Sequence, residues 1–228
     1  MVSGSGYTRT PMPTSATHTY LDAIRHLPVG GALSIPDVPW ADYEALLTEL
    51  GDGYAVRVMY DRGRLEIVSP SDGHEKLKEF IHDVARVLAD ELGTDLESFG
   101  STTFKHPDLR KGGEPDTCFY VQHAAQVIGR DGLDLTVDPP PDVIVEVDVS
   151  HSSAAKLRFW AELGIPEVWR HDGDRIVMYE RSGEGYVEIP ASLAFPSFTA
   201  EALTGLLHRI KTERQQAVLT AFRRSLRR

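Results

Sequence analysis

The stretch that decides the fold runs from Pro139 to Trp169 and reads PPPDVIVEVDVSHSSAAKLRFWAELGIPEVW. Its first part predicts a buried strand, because valines fill one face and Ile144 lies on the other. A strand that is apolar on both faces is typical of an interior parallel strand covered by helices. The alternating valines are Val143, Val145, Val147 and Val149.

The even-numbered face of this strand also carries carboxylates, at Asp142, Glu146 and Asp148. Glu146 and Asp148 point the same way, about 7 Å apart along the strand. Two carboxylates on a core strand are costly unless a cation or a proton lies between them, and the sequence places no compensating arginine nearby. Spacing alone leaves two interpretations open: a metal site, or two acids at a strand end that reaches water.

A helix is predicted after this strand, from about Ala154 to Leu163, with Gly164 ending it. A loop with three serines precedes it, at Ser150, Ser152 and Ser153. Lys156 falls in the first turn, where a cation opposes the helix dipole. That placement is reasonable if the helix start faces the strand carboxylates. The alternative is a solvated surface lysine.

Together with EPDTCFYV (114–121), this stretch resembles the Uma-two family of endonucleases, which belongs to the restriction-endonuclease-like, PD-(D/E)XK superfamily. The family pattern is a PD strand, a PDLVVEV strand, a Ser-rich loop, a helix bearing a lysine and a G-(I/V)-PE-(V/Y)-W strand. The similarity extends from about Trp40 to Leu207 and is densest over 114–180. It implies an α/β fold, with a restriction-endonuclease-like mixed central sheet flanked by helices.

The resemblance also implies a metal-dependent endonuclease that hydrolyses DNA, with Asp116, Glu146 and Lys156 as catalytic residues. Asp116 alone, an acid after proline at a strand start, would more often be a turn former. In the family context Asp116 and Glu146 would coordinate Mg²⁺ or Mn²⁺, and Asp148 or the carbonyl of Val147 would complete an oxygen shell. Lys156 would orient the water or neutralise charge on the phosphate.

The sequence departs from the superfamily pattern at one position. The E-x-K motif would place lysine at 148, but aspartate stands there, so the lysine must come from the next helix. This leaves open whether Asp148 is a third metal ligand or a partner of Lys156.

The remaining elements follow from hydrophobic periodicity. A disordered tail is predicted over 1–18, a restriction-endonuclease-like domain over 19–207, and a basic helix or tail over 208–228. A short helix is expected at 20–27, a hairpin turns at 61–63, and 106–113 is expected to be a polar loop. The longest amphipathic helix is predicted over 74–92, and the strands 116–121 and 142–149 are expected to be neighbours.

Composition limits the function classes. The net charge of −10 argues against broad nonspecific nucleic-acid binding, although residues 208–228 carry a net +6. The single cysteine, Cys118, excludes an internal disulfide and is expected to be buried. No long apolar run or leader occurs, which predicts a soluble cytoplasmic protein without a membrane partner.

Two function classes remain open from the sequence. One is a metal-dependent DNA endonuclease, for which a homodimer is expected because single active sites that cut two strands suit two-fold symmetry. The other is a catalytically weak or inactive nuclease-fold protein that acts as a binding module. The acidic composition supports the second class, whereas the Asp-Glu-Lys set favours the enzyme.

Overall fold

The computed structural model describes residues 15–51, 56–148, 154 and 156–227. Most of the predicted N-terminal tail, and the serine-rich loop with Val149, lie outside these residues. The helices are α1 Ser15–Arg25, α2 Trp40–Leu50, α3 Asp72–Leu92, α4 Ala124–Val127, α5 Lys156–Glu162, α6 Ala200–Arg209 and α7 Gln215–Leu226. The strands are β1 Ala32–Ile35, β2 Arg57–Asp61, β3 Arg64–Val68, β4 Glu97–Ser98, β5 Phe104–His106, β6 Lys111–Gly113, β7 Thr117–Tyr120, β8 Val143–Val147, β9 Glu167–His171, β10 Ile176–Ser182 and β11 Gly185–Ile189.

The sheet that carries the predicted site has six strands in the order β11-β10-β9-β8-β7-β4. Its interior strand β8 is antiparallel to β7 and parallel to β9, with Val145 opposite Thr117 on one side and Trp169 on the other. All five residues of β8 are buried. The predicted mixed α/β fold, with these two strands as neighbours, is therefore confirmed.

The two faces of β8 are covered by different helices, as its two-sided apolar pattern predicts. Val143, Val145 and Val147 pack in one core cluster with buried residues of α3, α6 and α7. On the opposite face, Ile144 packs with Phe159 and Trp160 of α5. Because side chains alternate along a strand, Glu146 points toward the α5 side. The connection from β8 through α5 to β9 thus sets the surroundings of Glu146.

A second, five-stranded sheet in the order β1-β3-β2-β6-β5 was not expected from the sequence. The predicted hairpin at 61–63 is present between β2 and β3. The polar-loop prediction for 106–113 is wrong in part, because β6 is a buried strand. Gly112 and Gly113 permit this burial: a Cβ on Gly112 would lie 2.1 Å from Oη of Tyr43, and one on Gly113 2.9 Å from Cε1 of Phe159.

Lys111 of β6 joins this second sheet to α5, although its side chain is almost entirely buried. Its Nζ lies 2.7 Å from Oδ1 of Asp61 and 3.1 Å from Oε2 of Glu162. The ammonium also lies 4.7 Å from the centroid of the Phe159 ring. A buried cation requires such partners, so this cluster fixes the position of α5 against the second sheet.

Both ends of the described chain are helical. Helix α1 begins within the segment predicted as a disordered tail and before the helix expected at 20–27. The basic C-terminal segment forms α7, whose Phe222 is buried against the main core. Arg223 of α7 contacts two acids at the end of α3, with Nη2 2.9 Å from Oδ2 of Asp90 and Nη1 2.8 Å from Oε1 of Glu91. The charge of Arg223 is therefore engaged within the fold.

Cys118 lies in β7 opposite Ile144 and is fully buried, as predicted. Burial raises the pKa of its thiol to about 12, so the thiolate form is suppressed at neutral pH. Among the helices that the structure describes, none combines the length and apolar character needed to cross a membrane.

Candidate active site

Asp116 stands immediately before β7 and is buried at the β7–β8 border. Its Oδ2 accepts a 2.7 Å hydrogen bond from the backbone N–H of Val147, and its own N–H donates to the carbonyl of Val145 at 3.1 Å. Burial alone would raise the pKa of Asp116, but the contacts with His74, with Lys156 and with the Val147 N–H bring it below its ordinary value. Asp116 is therefore an anion at neutral pH.

Glu146 lies on β8, where its side chain is 2% exposed. Both carboxylate oxygens have donors from α5: Lys156 Nζ is 3.0 Å from Oε2, and Trp160 Nε1 is 2.8 Å from Oε1. Burial raises the pKa of Glu146 to about 7, the nearby charge of Asp116 adds to this, and Lys156 and Trp160 oppose it. The carboxyl of Glu146 thus titrates in the neutral range.

Lys156 is the first residue of α5, and its side chain is 22% exposed. Burial would lower the pKa of this ammonium, but the charges of Glu146 and Asp116 raise it above its ordinary value. Lys156 is therefore positively charged at neutral pH and unsuited to act as a general base. The structure brings Lys156 and Glu146 into direct contact, with Asp116 close enough to act on both charges.

Asp148 follows β8 and forms an ion pair with Arg170 of β9. The backbone N–H of Asp148 donates to the carbonyl of His171 at 2.8 Å. The expectation that no arginine compensates these acids is wrong, because the parallel pairing of β8 with β9 places Arg170 opposite Glu146. The assignment of Asp148 as a metal ligand stays a prediction.

Sequence reasoning missed His74 and Trp160 as contacts of the two carboxylates. Nε2 of His74, in the first turn of α3, lies 2.9 Å from Oδ2 of Asp116. Burial would lower the pKa of His74, but the hydrogen bond to Asp116 and its charge raise it. A signal was available, because His74 continues the apolar stripe of α3 at the spacing of Leu77 and Ile81, which predicts an inward-facing ring.

A cavity of about 270 Å³ opens beside Lys156. It lies between α5 and the hairpin of β2 and β3, and Lys156 is one of the residues that line it. A larger cavity of about 590 Å³ lies between β10, β11 and α6, and none of the predicted site residues lines it. The residues that line the smaller cavity are Met59, Asp61, Arg64, Glu66, Lys156 and Phe159.

The fit of a divalent cation depends on which carboxylates are available. Within the described ranges, no three His, Cys, Asp or Glu side chains are gathered so that they could hold a metal ion. Asp116 and Glu146 do lie close enough for their charges to interact, and a cation between them would offset that repulsion. Mg²⁺ commonly binds through one or two carboxylates and keeps several waters. These two residues therefore fit such an ion as a partial ligand set.

Paired acids on a mixed sheet beside a helix lysine are the arrangement that the sequence resemblance leads us to expect of a nuclease-like protein. Residues 40–208 match the sequence model of the Uma2 family, described as "Putative restriction endonuclease", and the chain belongs to this family. The family resemblance predicted from the sequence is confirmed.

One solved structure to which this chain is similar is described as a putative nuclease belonging to DUF820 from Anabaena variabilis. It shares 14% identity with this chain, has a TM-score of 0.46, and the alignment covers 65% of this chain and 89% of that one. No curated protein matches the sequence.

Proposed function

We propose that this protein is a metal-dependent endonuclease that hydrolyses DNA phosphodiester bonds. The observation that carries the proposal is the buried Glu146–Lys156 contact of 3.0 Å next to the ionised Asp116. A binding module gains nothing from burying two acids and a lysine together, since buried charges are costly to fold. Membership of the Uma2 family supports the same conclusion.

In this proposal Asp116 and Glu146 would hold Mg²⁺ or Mn²⁺, and Asp148 or the carbonyl of Val147 would be a further oxygen ligand. The bound cation would activate water and polarise the scissile phosphodiester. Lys156 stabilises the negative charge that develops on the phosphate, because its ammonium stays protonated and reaches the cavity between α5 and the β2–β3 hairpin. Trp160 and His74 hold the two carboxylates in position through their ring nitrogens.

The ion pair between Arg170 and Asp148 favours a second candidate function, that of a binding module without strong catalytic activity. By pairing with Asp148 it leaves fewer free carboxylates than a well-formed metal site would use. A catalytically weak protein that binds nucleic acid without cutting it would retain the fold and the Lys156 contact.

For the endonuclease, a homodimer in the cytoplasm is the proposed working form, because two-fold symmetry suits the cutting of two strands.

A plasmid-nicking assay with Mn²⁺ separates the two functions. The wild type and Glu188→Gln, which changes an exposed glutamate of β11, are expected to nick the plasmid, whereas Glu146→Gln is not. Titration calorimetry with Mn²⁺ should show binding that Glu146→Gln abolishes. Equal Mn²⁺ binding in the wild type and this variant would refute the site, and DNA binding without any nicking would support the binding module.

A further inference from the structure

A cluster of charged groups next to Asp116 is not used by the proposed mechanism. Three cationic or ionisable side chains surround the carboxylate of Glu75 on α3. Nη2 of Arg57 lies 3.4 Å from its Oε1, Nδ1 of His74 lies 3.5 Å from the same oxygen, and Lys78 binds its Oε2. Arg57 comes from β2, so this cluster joins the second sheet to α3.

The cluster is adjacent to the candidate active site. The same His74 ring that faces Glu75 through Nδ1 contacts Asp116 through Nε2 at 2.9 Å. One imidazole ring therefore separates the carboxylate of Glu75 from that of Asp116. A nucleic-acid strand with one phosphate at Asp116 and Glu146 would carry a neighbouring phosphate within reach of this cluster.

The side chains around Glu75 have more hydrogen-bond donors than the Glu75 carboxylate accepts from. Nε of Arg57 and Nδ1 of His74 are buried, and neither has a hydrogen-bond partner among the residues that the structure describes. Buried donors without partners are rare in folded proteins and call for an explanation such as an absent ligand. A phosphate has several strong acceptor oxygens and can accept hydrogen bonds from more than one side chain of such a cluster.

Glu75 is placed to be displaced by such a ligand. Its side chain is 39% exposed, whereas those of Arg57 and Lys78 are 18% and 12% exposed. Burial would raise the pKa of Glu75, but Lys78, Arg57 and His74 bring it below its ordinary value, so it is an anion. The exposed anion can rotate into solvent while the less exposed cations stay in place. Glu79, at 3.4 Å from Lys78 Nζ, is the other acid in contact with that ammonium.

We infer that Arg57 and Lys78 form a binding subsite for a DNA backbone phosphate next to the scissile one, and that Glu75 fills this subsite until DNA binds. The inference rests on the proposed function for the nature of the ligand. It also explains how a chain with a net charge of −10 can bind DNA, since the carboxylate of Glu75, which neutralises these cations in the free protein, moves aside. In the free protein the carboxylate of Glu75 thus occupies the position that the phosphate takes when DNA binds.

The test is fluorescence anisotropy of a short labelled DNA duplex, measured in EDTA so that no hydrolysis occurs. Lys78→Ala is expected to weaken binding about threefold to tenfold and to lower the slope of log affinity against log salt by about one. Lys76→Ala is the matched control, because it removes an exposed lysine from the same helix. Glu75→Gln is expected to tighten binding by a similar factor, because the cations lose their internal competitor.

A purely structural ion cluster would behave differently. In that case Glu75→Gln would lower thermal stability without any gain in affinity, and this result overturns the inference. Equal losses in Lys78→Ala and Lys76→Ala also overturn it, since they would reflect overall charge alone. Arg57→Lys, which keeps the charge, should retain most of the affinity. Inorganic phosphate at constant ionic strength should not displace the duplex; full displacement would assign the subsite to free phosphate instead.

This experiment fails separately from the test of nuclease activity. Duplex binding that depends on Lys78 supports the subsite even if plasmid nicking with Mn²⁺ is absent. Nicking combined with binding that is insensitive to Lys78 and Glu75 overturns the subsite and leaves the nuclease proposal intact.

Discussion

The indole N–H of Trp160 donates a 2.8 Å hydrogen bond to Oε1 of Glu146, while Lys156, one helical turn earlier, holds Oε2 of the same carboxylate. Both donors belong to α5, the helix that connects the parallel strands β8 and β9. The position of the Glu146 carboxylate therefore depends on how α5 docks onto the sheet. Two substitutions can separate the contributions of these donors.

Trp160→Phe is expected to destabilise the protein more at pH 8 than at pH 5. The substitution leaves a buried carboxylate oxygen without its donor, a loss of about 1–3 kcal/mol when the group is charged. At pH 5 the folded protein holds Glu146 protonated, because its pKa is raised to about 7. The packing loss is the same at both pH values, so urea unfolding at each pH isolates the hydrogen bond. An identical loss at pH 5 and pH 8 contradicts this assignment.

Glu146→Gln is expected to flatten the dependence of stability on pH. The carboxyl loses its proton near its ordinary pKa of 4.5 in the unfolded chain and near 7 in the folded protein, so the folded state binds more protons between these values. The free energy of unfolding of the wild type therefore falls as the pH rises through this window, by about 2–3 kcal/mol. Glu146→Gln should lack this fall, and Glu188→Gln should retain it. Parallel curves for the wild type and Glu146→Gln would show that the buried carboxyl does not titrate there.

Lys156→Ala is expected to leave Mn²⁺ binding largely intact and to reduce single-turnover cleavage about a hundredfold or more, the usual scale for one transition-state contact. Lys156→Arg should restore little, because a planar guanidinium does not replace a compact ammonium. Lys105→Ala, which removes an exposed lysine from β5, is the control. If Lys156→Ala cleaves as fast as the wild type, the lysine has no part in the reaction.

Arg223→Gln is expected to leave DNA affinity and its salt dependence unchanged, because Asp90 and Glu91 engage this arginine and the Glu91 side chain, 9% exposed against 39% for Glu75, is not free to rotate into solvent. Phe222→Ala should instead cost about 3–5 kcal/mol of stability, since it empties a buried position between α7 and the main core. Thermal unfolding and duplex anisotropy on the full chain measure the two effects. A reduced salt slope in Arg223→Gln would assign a DNA contact to the basic segment.

The central part of the fold could be predicted because its signals are local. The valines of β8, the apolar stripe of α3 and the glycine after α5 each specify their own element within a few residues. The neighbouring placement of β7 and β8 was predicted from the alternation of hydrophobic strands with a covering helix, and the pairing of the two strands confirms it. Residues 40–208 then matched the Uma2 family.

The features that were missed depend on distant parts of the chain. Gly112 and Gly113 looked like a loop, yet the lack of side chains is what lets β6 pass close to Tyr43 and Phe159. The register of β8 against β9 brings Arg170 to Asp148, and the docking of α3 brings His74 to Asp116. Neither pairing is specified by spacing along the sequence.

Because Cys118 is buried, the reactivity of its thiol can be used to measure local opening of the fold. The thiol lies two residues after Asp116 and opposite Ile144, so a reagent can reach it only when β7 separates from β8 or from its cover. A thiol with a pKa of about 12 reacts negligibly while buried. The rate at which a thiol reagent modifies this single cysteine therefore measures how often β7 separates from β8 or from its cover beside the candidate catalytic acids, without any cysteine being introduced by mutation.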